Sequence, residues 1–233
     1  MKYLLCILFA VSILSSCNQR RGSGNIIREK RQTGNFTEIS VSGAFTVEVK
    51  TGAVTEVEVE SDDNVIRFIE TKVSGNTLKI RTKNGNGFND AHFKVYITAP
   101  EINKIKSSGA SNIKVTDQLK SNRKISLDVS GAAGIDASVD APEIYAEVSG
   151  AGNIELSGRT RDYKAKVSGS GTIKSGNLQS ENTTVDVSGA GTARVHASVR
   201  LNAKASGAGN IHYKGGATVE QKISGAGSIK NEN

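Results

Sequence analysis

The sequence predicts an all-β chain wound into a β-solenoid, and three observations carry that reading. The first is a phrase that recurs seven times in the C-terminal half: SGASNI at Ser108, SGAAGI at Ser130, SGAGNI at Ser149, SGSGTI at Ser168, SGAGTA at Ser188, SGAGNI at Ser206 and SGAGSI at Ser224. The second is its spacing. The copies start 22, 19, 19, 20, 18 and 18 residues apart, and a short fixed period marks one small unit stacked on itself. The third is the pattern between copies, where apolar and polar residues alternate, as in Ile125-Ser-Leu127-Asp-Val129 and Thr183-Thr-Val185-Asp-Val187. That is the period of a strand with one buried face, and the chain beyond its first residues shows no sustained helical period.

The N-terminus reads as targeting sequence. Lys2 supplies a positive start, and Tyr3 to Leu14 is an apolar run too short to span a bilayer as a helix. The run ends in Leu14-Ser15-Ser16-Cys17, which resembles a bacterial lipobox. Residues 1–16 are therefore expected to be a lipoprotein signal peptide. Cys17 would carry the lipid, with several acyl chains giving a stable anchor. The only other cysteine, Cys6, lies inside the apolar run, so no disulfide is expected and packing must stabilise the body. Residues 17–24 contain Asn18-Gln19-Arg20-Arg21-Gly22-Ser23-Gly24, polar and glycine-bearing, and read as a flexible tether. An outer-membrane location follows. The absence of an acidic cluster after Cys17, of the kind that resembles a surface-export signal, favours the periplasmic face over the cell surface.

Residues 25–107 alternate without a tight period. Strand candidates are Phe36 to Val41, Ala44 to Lys50, Val54 to Ser61, Thr77 to Arg81 and His92 to Thr98. Asp62 to Thr71 suggests a short helical turn, and Lys83 to Asp90 a flexible loop. This half reads as wider, irregular rungs continuous with the regular repeats of residues 108–233.

Each regular repeat reads as strand, tight corner, second strand, looser corner. The corner is legible from its variation. Its first glycine is present every time, at Gly109, Gly131, Gly150, Gly169, Gly189, Gly207 and Gly225, which points to a positive φ. The second position varies through Ser111, Ala133 and Gly152 to Gly227, which asks only for a small group. Stacking aligns like positions. One column reads Asp128, Glu147, Lys166, Asp186, Lys204, Lys222, with Lys166 between two acids. The phrase serines form another column, better read as a hydroxyl ladder than as a binding strip.

The run from Val95 to Ala110, the earlier Ile39-Ser-Val-Ser-Gly-Ala-Phe-Thr-Val-Glu-Val49 and the serial SGAG phrases resemble the GIN-domain family. Its members are head domains of proposed autotransporter adhesins, common in Bacteroidetes-type lipoproteins and once a domain of unknown function. The resemblance spans about residues 36 to 231. It implies a right-handed, pectin-lyase-like parallel β-helix and a role in adhesion, and it brings no catalytic or ligand residues.

Residue chemistry excludes several classes. No glycine phrase is followed by the lysine and helix of a phosphate loop. Net charge is +7, but the basic residues are scattered and not interleaved with aromatics, which argues against nucleic acid. His92, His196 and His212 offer no ligand spacing; His196 and His212 each follow an inward residue and read as outward and solvated. Asp136, Asp140 and Glu143 cluster near a corner, and Asp128, Glu147 and Asp186 are interrupted by Lys166, so no catalytic set stands out. No catalytic, cofactor or metal residue is assigned. A glycan site would show stacking aromatics; of the repeat tyrosines, Tyr145 reads outward and Tyr163 and Tyr213 inward. Two readings stay open: an adhesin-like module for glycan or protein, and an envelope structural protein without a specific ligand. A polysaccharide-acting enzyme is the weaker third. An open last rung can seed a homo-oligomer.

Overall fold

Strands form where alternation lets one side of the chain be buried, and here they stack. The computed structural model describes residues 19–83 and 87–232, so the expected signal peptide and Cys17 lie outside the described residues.

The N-terminal half contains β1 (Gln19–Arg21), β2 (Ile26–Arg31), β3 (Glu38–Gly43), β4 (Thr46–Thr51), β5 (Glu56–Asp62), β6 (Ile69–Ser74), β7 (Thr77–Thr82), β8 (Gly87–Asn89) and β9 (Phe93–Ala99). A single 3-10 turn, Ile66–Phe68, falls inside the stretch read as helical. The second half contains β10 (Lys104–Gly109), β11 (Asn112–Lys120), β12 (Lys124–Gly131), β13 (Gly134–Asp140), β14 (Glu143–Gly150), β15 (Asn153–Gly169), β16 (Thr172–Gly189), β17 (Thr192–His196), β18 (Arg200–Gly207), β19 (Asn210–Lys214), β20 (Thr218–Gly225) and β21 (Ser228–Asn231).

The repeats pair in parallel and in register, glycine on glycine, from Gly109↔Gly131 to Gly207↔Gly225. The first strands of successive rungs make face A and the second strands make face B. A third strip runs through the middle rungs, where Gln118–Lys120, Ser138–Asp140, Ser157–Arg159 and Asn177–Gln179 align. Inside, columns of apolar residues run along the axis. One passes through Leu78, Ile39, Ile105, Leu127, Ala146, Ala165, Val185 and Ala203, all essentially sealed from solvent. Hydrophobic burial along such columns, rather than any crosslink, holds the stack together. Where Ser107 interrupts an aliphatic column, Ser111 reaches in to meet it, hydroxyl to hydroxyl at 2.5 Å, so neither buried oxygen is left unpaired.

The rungs do not stack in chain order. β3 lies between β7 and β10, and β4 between β9 and β11, all in parallel. The early phrase Ser42-Gly43 therefore sits directly beneath Ser108-Gly109. The rung made by β7 and β9 lies on the far side of it.

Part of the N-terminal half pairs antiparallel: β6 on β7, β5 on β9 and β2 on β5. These strands cover the edges that β7 and β9 would otherwise expose. β2 carries the charged run Ile26-Ile-Arg-Glu-Lys-Arg31 and is held at the rim by ion pairs, Arg28 to Glu60 at 2.6 Å and Lys30 to Glu56 at 3.5 Å.

Two short segments differ from expectation. The residues read as a tether are docked from Gln19 onward, because β1 pairs in parallel with β8. Asp62, buried, then accepts the Gly24 amide at 2.7 Å and the His92 amide at 2.8 Å, and Ser23 donates to Asp63 at 2.6 Å. Composition hid this, since polar residues dock here through backbone and carboxylate bonds rather than apolar contact. For the same reason part of the Lys83–Asp90 stretch is a strand.

Candidate interaction faces

The corner builds the outer surface. The seven repeat glycines and Gly43 have φ between +78° and +122°, a region costly for residues with a Cβ. A Cβ on Gly150 would stand 2.7 Å from the Gly131 carbonyl oxygen of the rung before. The next residue of each phrase donates its amide to that same glycine carbonyl, at 2.7–2.9 Å from Ala110 to Ala226. Each corner thus sits on the one before, which forces the outward residues into straight columns.

On face A the serine column starts as a ladder, with Ser42 and Ser108 hydroxyls 2.9 Å apart. Ser108 and Ser130 also bond backbone carbonyls of the rung before, at 3.3 and 3.5 Å. The neighbouring column contains Lys106, Asp128, Glu147, Lys166, Asp186, Lys204 and Lys222 in register. Lys166 bridges to Glu147 at 3.0 Å. Tyr145 lies outward in the next column and donates its hydroxyl to Glu147 at 2.7 Å. That bond, with Lys166 behind it, holds the Glu147 carboxyl below its ordinary pKa. Asp128 is shifted the other way: partial burial raises it, Glu147 adds to the rise, and Lys104 at 3.9 Å opposes it. Burial and the Glu147 bond together raise the Tyr145 phenol. Lys124 and Lys164 lie 5.0 and 6.0 Å from the Tyr145 ring centre. Lys104, Lys106, Lys124, Asp128, Tyr145 and Glu147 line a groove of about 470 Å³.

Face B has a comparable centre at the seam between the antiparallel strands and the stack. Tyr96 stands outward between Glu58 and Glu48 on neighbouring strands. Arg28 and Lys94 lie 4.8 and 4.7 Å from its ring centre. Glu60 gathers Arg28 at 2.6 Å, His92 at 2.8 Å and the Tyr96 hydroxyl at 3.2 Å. A cleft of about 430 Å³ opens beside it, lined by Lys30, Glu48, Lys50, Glu56, Tyr96 and Thr98.

The other residues singled out by sequence scatter. Asp136 lies on face B, Asp140 pairs with Arg159 at 2.8 Å, and Glu143 meets Lys124 at 3.0 Å. Tyr163 is buried; Tyr213 is partly buried against the core. The two late histidines are less solvated than their sequence position suggests. His196 Nδ1 accepts the Ser180 amide at 3.3 Å, and His212 Nδ1 lies 2.8 Å from Glu232. Among the described residues, no three of His, Cys, Asp and Glu group so as to hold a metal ion. Tyr96 and its cation shell escaped sequence reasoning because Arg28 and Glu60 reach it only through antiparallel pairing, while Lys94 stands two residues before it on β9. The alternation of Val95-Tyr96-Ile97 was the available signal.

A family model described as "Putative auto-transporter adhesin, head GIN domain" matches residues 35–217. The chain belongs to this family. No curated protein matches it. Among solved structures, the GIN-domain chain is similar to one from Bacteroides fragilis NCTC 9343, named a putative adhesin, at 22% identity and TM-score 0.86; the likeness covers 91% of this chain and 99% of that one. A second, from Parabacteroides distasonis ATCC 8503 and named a putative lipid binding protein, has 21% identity and TM-score 0.77, covering 92% and 100%. A third, a putative adhesin from the same organism, has 24% identity and TM-score 0.75, covering 91% and 98%. At these identities the likeness speaks for the fold.

Proposed function

We propose that this GIN-domain chain is a non-catalytic adhesive module, anchored through Cys17 in the outer membrane, that presents its solenoid faces to a protein ligand. The lipobox-like Leu14-Ser15-Ser16-Cys17 supports the anchor, and the family description supports adhesion. One observation carries the choice of ligand. Both outward tyrosines, Tyr145 and Tyr96, already carry cations against their rings, so neither offers the bare aromatic plate on which a sugar stacks. What remains is a flat surface of charges in fixed columns, whose extent and complementarity suit another protein. Glu147 is engaged by both Tyr145 and Lys166, which favours binding over acid–base work.

The test is capture of envelope and extracellular proteins by the purified chain, run beside a glycan array. A protein partner lost on Lys104→Glu/Lys106→Glu, with folding unchanged by circular dichroism, supports the reading. Selective glycan capture with no protein partner would sink it in favour of a sugar ligand. No selective ligand at any salt would leave a structural envelope protein.

A further inference from the structure

We propose that the chain forms a two-fold dimer in which β20 pairs antiparallel with β20 of a second copy, centred on Gln221. This does not rest on the ligand reading above. Among the described residues β20 pairs on one side only, with β18. Thr218 donates its amide to Val199 and Ala226 to Gly207, so the even-numbered residues of β20 turn their backbone toward β18. The amides and carbonyls of Val219, Gln221 and Ile223 therefore point away from the stack. An edge of this kind is a template for another strand. At the opposite end of the solenoid β5 and β6 cover the edges of β9 and β7, and the charged β2 and the strand β6 are the outermost strands.

The core is also uncovered here. Ile223 is 46% exposed, whereas Ala205, one rung in, is 2% exposed. The inward column that runs through Val185 and Ala203 ends in Gln221, the one polar residue in that column.

The strand matches itself in reverse. Outward from Gln221 stand Glu220 and Lys222, then Val219 and Ile223, then Thr218 and Ser224. Antiparallel pairing about Gln221 sets each residue opposite its match in the second copy. Val219 meets Ile223 on the core side and covers the open rung. Glu220 meets Lys222 on the outer side. The backbone parity agrees: Val219, Gln221 and Ile223 fall at hydrogen-bonded positions, and Glu220 and Lys222 at the intervening ones where side chains approach most closely. Such an isologous contact closes on itself. Head-to-tail stacking would instead seat β20 on an outermost antiparallel strand of the other end, β2 or β6, and would not close.

The test uses the full chain with Cys6→Ser and Cys17→Ser, which removes both native thiols and the lipid site. Sedimentation should show a concentration-dependent dimer. Gln221→Cys should form an intermolecular disulfide under mild oxidation, since the two Cα atoms would lie about 5.5 Å apart, while Glu220→Cys should not. Lys222→Glu sets like charges opposite each other and should weaken the dimer about tenfold or more, and Glu220→Lys/Lys222→Glu should restore it. A monomer at every concentration with no preferential Gln221→Cys cross-link overturns the proposal. So does a dimer indifferent to Lys222→Glu, and so does an open-ended polymer.

Discussion

Val129 Cγ1 occupies the space that a Cβ on Gly152 would take. Val148 stands in the same way to Gly171, Val167 to Gly191 and Val187 to Gly209. The residue one rung earlier thus restricts the second position together with backbone, since the Ala133 carbonyl oxygen also lies 2.4 Å from a Cβ on Gly152, and Ser111 is accommodated above Val41. Ala133 occupies the equivalent place above Ser107, which lacks a valine's branch, and the space for a Cβ on Gly227 is limited only by backbone where Ala205 lies beneath. Gly152→Ala should cost about 1–3 kcal/mol by overpacking. Val129→Ala alone should cost roughly 2–3 kcal/mol through lost burial and a cavity. The double variant should lose less than the sum, with a coupling of at least about 0.5 kcal/mol in a thermal or urea double-mutant cycle. Strict additivity would refute this account.

The first glycine answers to backbone conformation as well as space. Gly150→Ala places a methyl at φ +117° and against the Gly131 carbonyl, and should cost about 1–3 kcal/mol or more. Gly176 has open space around it and no positive φ, so Gly176→Ala should stay within about 0.5 kcal/mol of the parent. Urea midpoints of the two variants measure the contrast.

Asp128 should make the fold less stable at neutral pH than its neutral analogue would. Its folded pKa is raised, chiefly by burial, so the native state holds the proton more tightly than the unfolded chain. Stability then falls as pH rises from the ordinary carboxylate value near 3.9, about where the unfolded group titrates, through the raised folded value. Asp128→Asn should raise the denaturation midpoint at pH 7 and give no gain well below the unfolded pKa. An equal gain at both ends would show that charge is not the cause.

Asp62 ties down the chain around Gly24. Asp62→Ala leaves the Gly24 and His92 amides without their carboxylate acceptor and should cost about 1–3 kcal/mol. Hydrogen exchange should quicken over residues 19–25 before it does in the repeats. Uniform quickening along the chain would contradict a local clamp.

The repeats were legible because every copy solves the same corner problem, so the invariance of Gly109 through Gly225 and the strand alternation both appear in one dimension. The column Asp128–Glu147–Lys166 followed from that register. What stayed hidden depends on partners far along the chain. Ser42-Gly43 gives no sign that Ser108-Gly109 will land on it while β7 and β9 go to the other side. β2 lacks an apolar face, and only its pairing with β5 makes Ile26–Arg31 a strand. The second glycine read as merely small because Val129 is a neighbour in space and twenty-three residues away in sequence. The two tyrosine centres were invisible in one case and half visible in the other, since Tyr145 has Glu147 beside it whereas Tyr96 needs Glu60 from another strand.

The rung of β3 and β4 is flanked on both sides by rungs made later in the chain. The earliest full turn in the sequence is therefore an interior turn of the stack and not an end. The stack extends from it in two directions: one side is completed by residues up to 99, and the other continues turn by turn through the repeats. Lengthening this molecule by duplicating a turn is consequently a one-sided affair, open only toward β20 and β21.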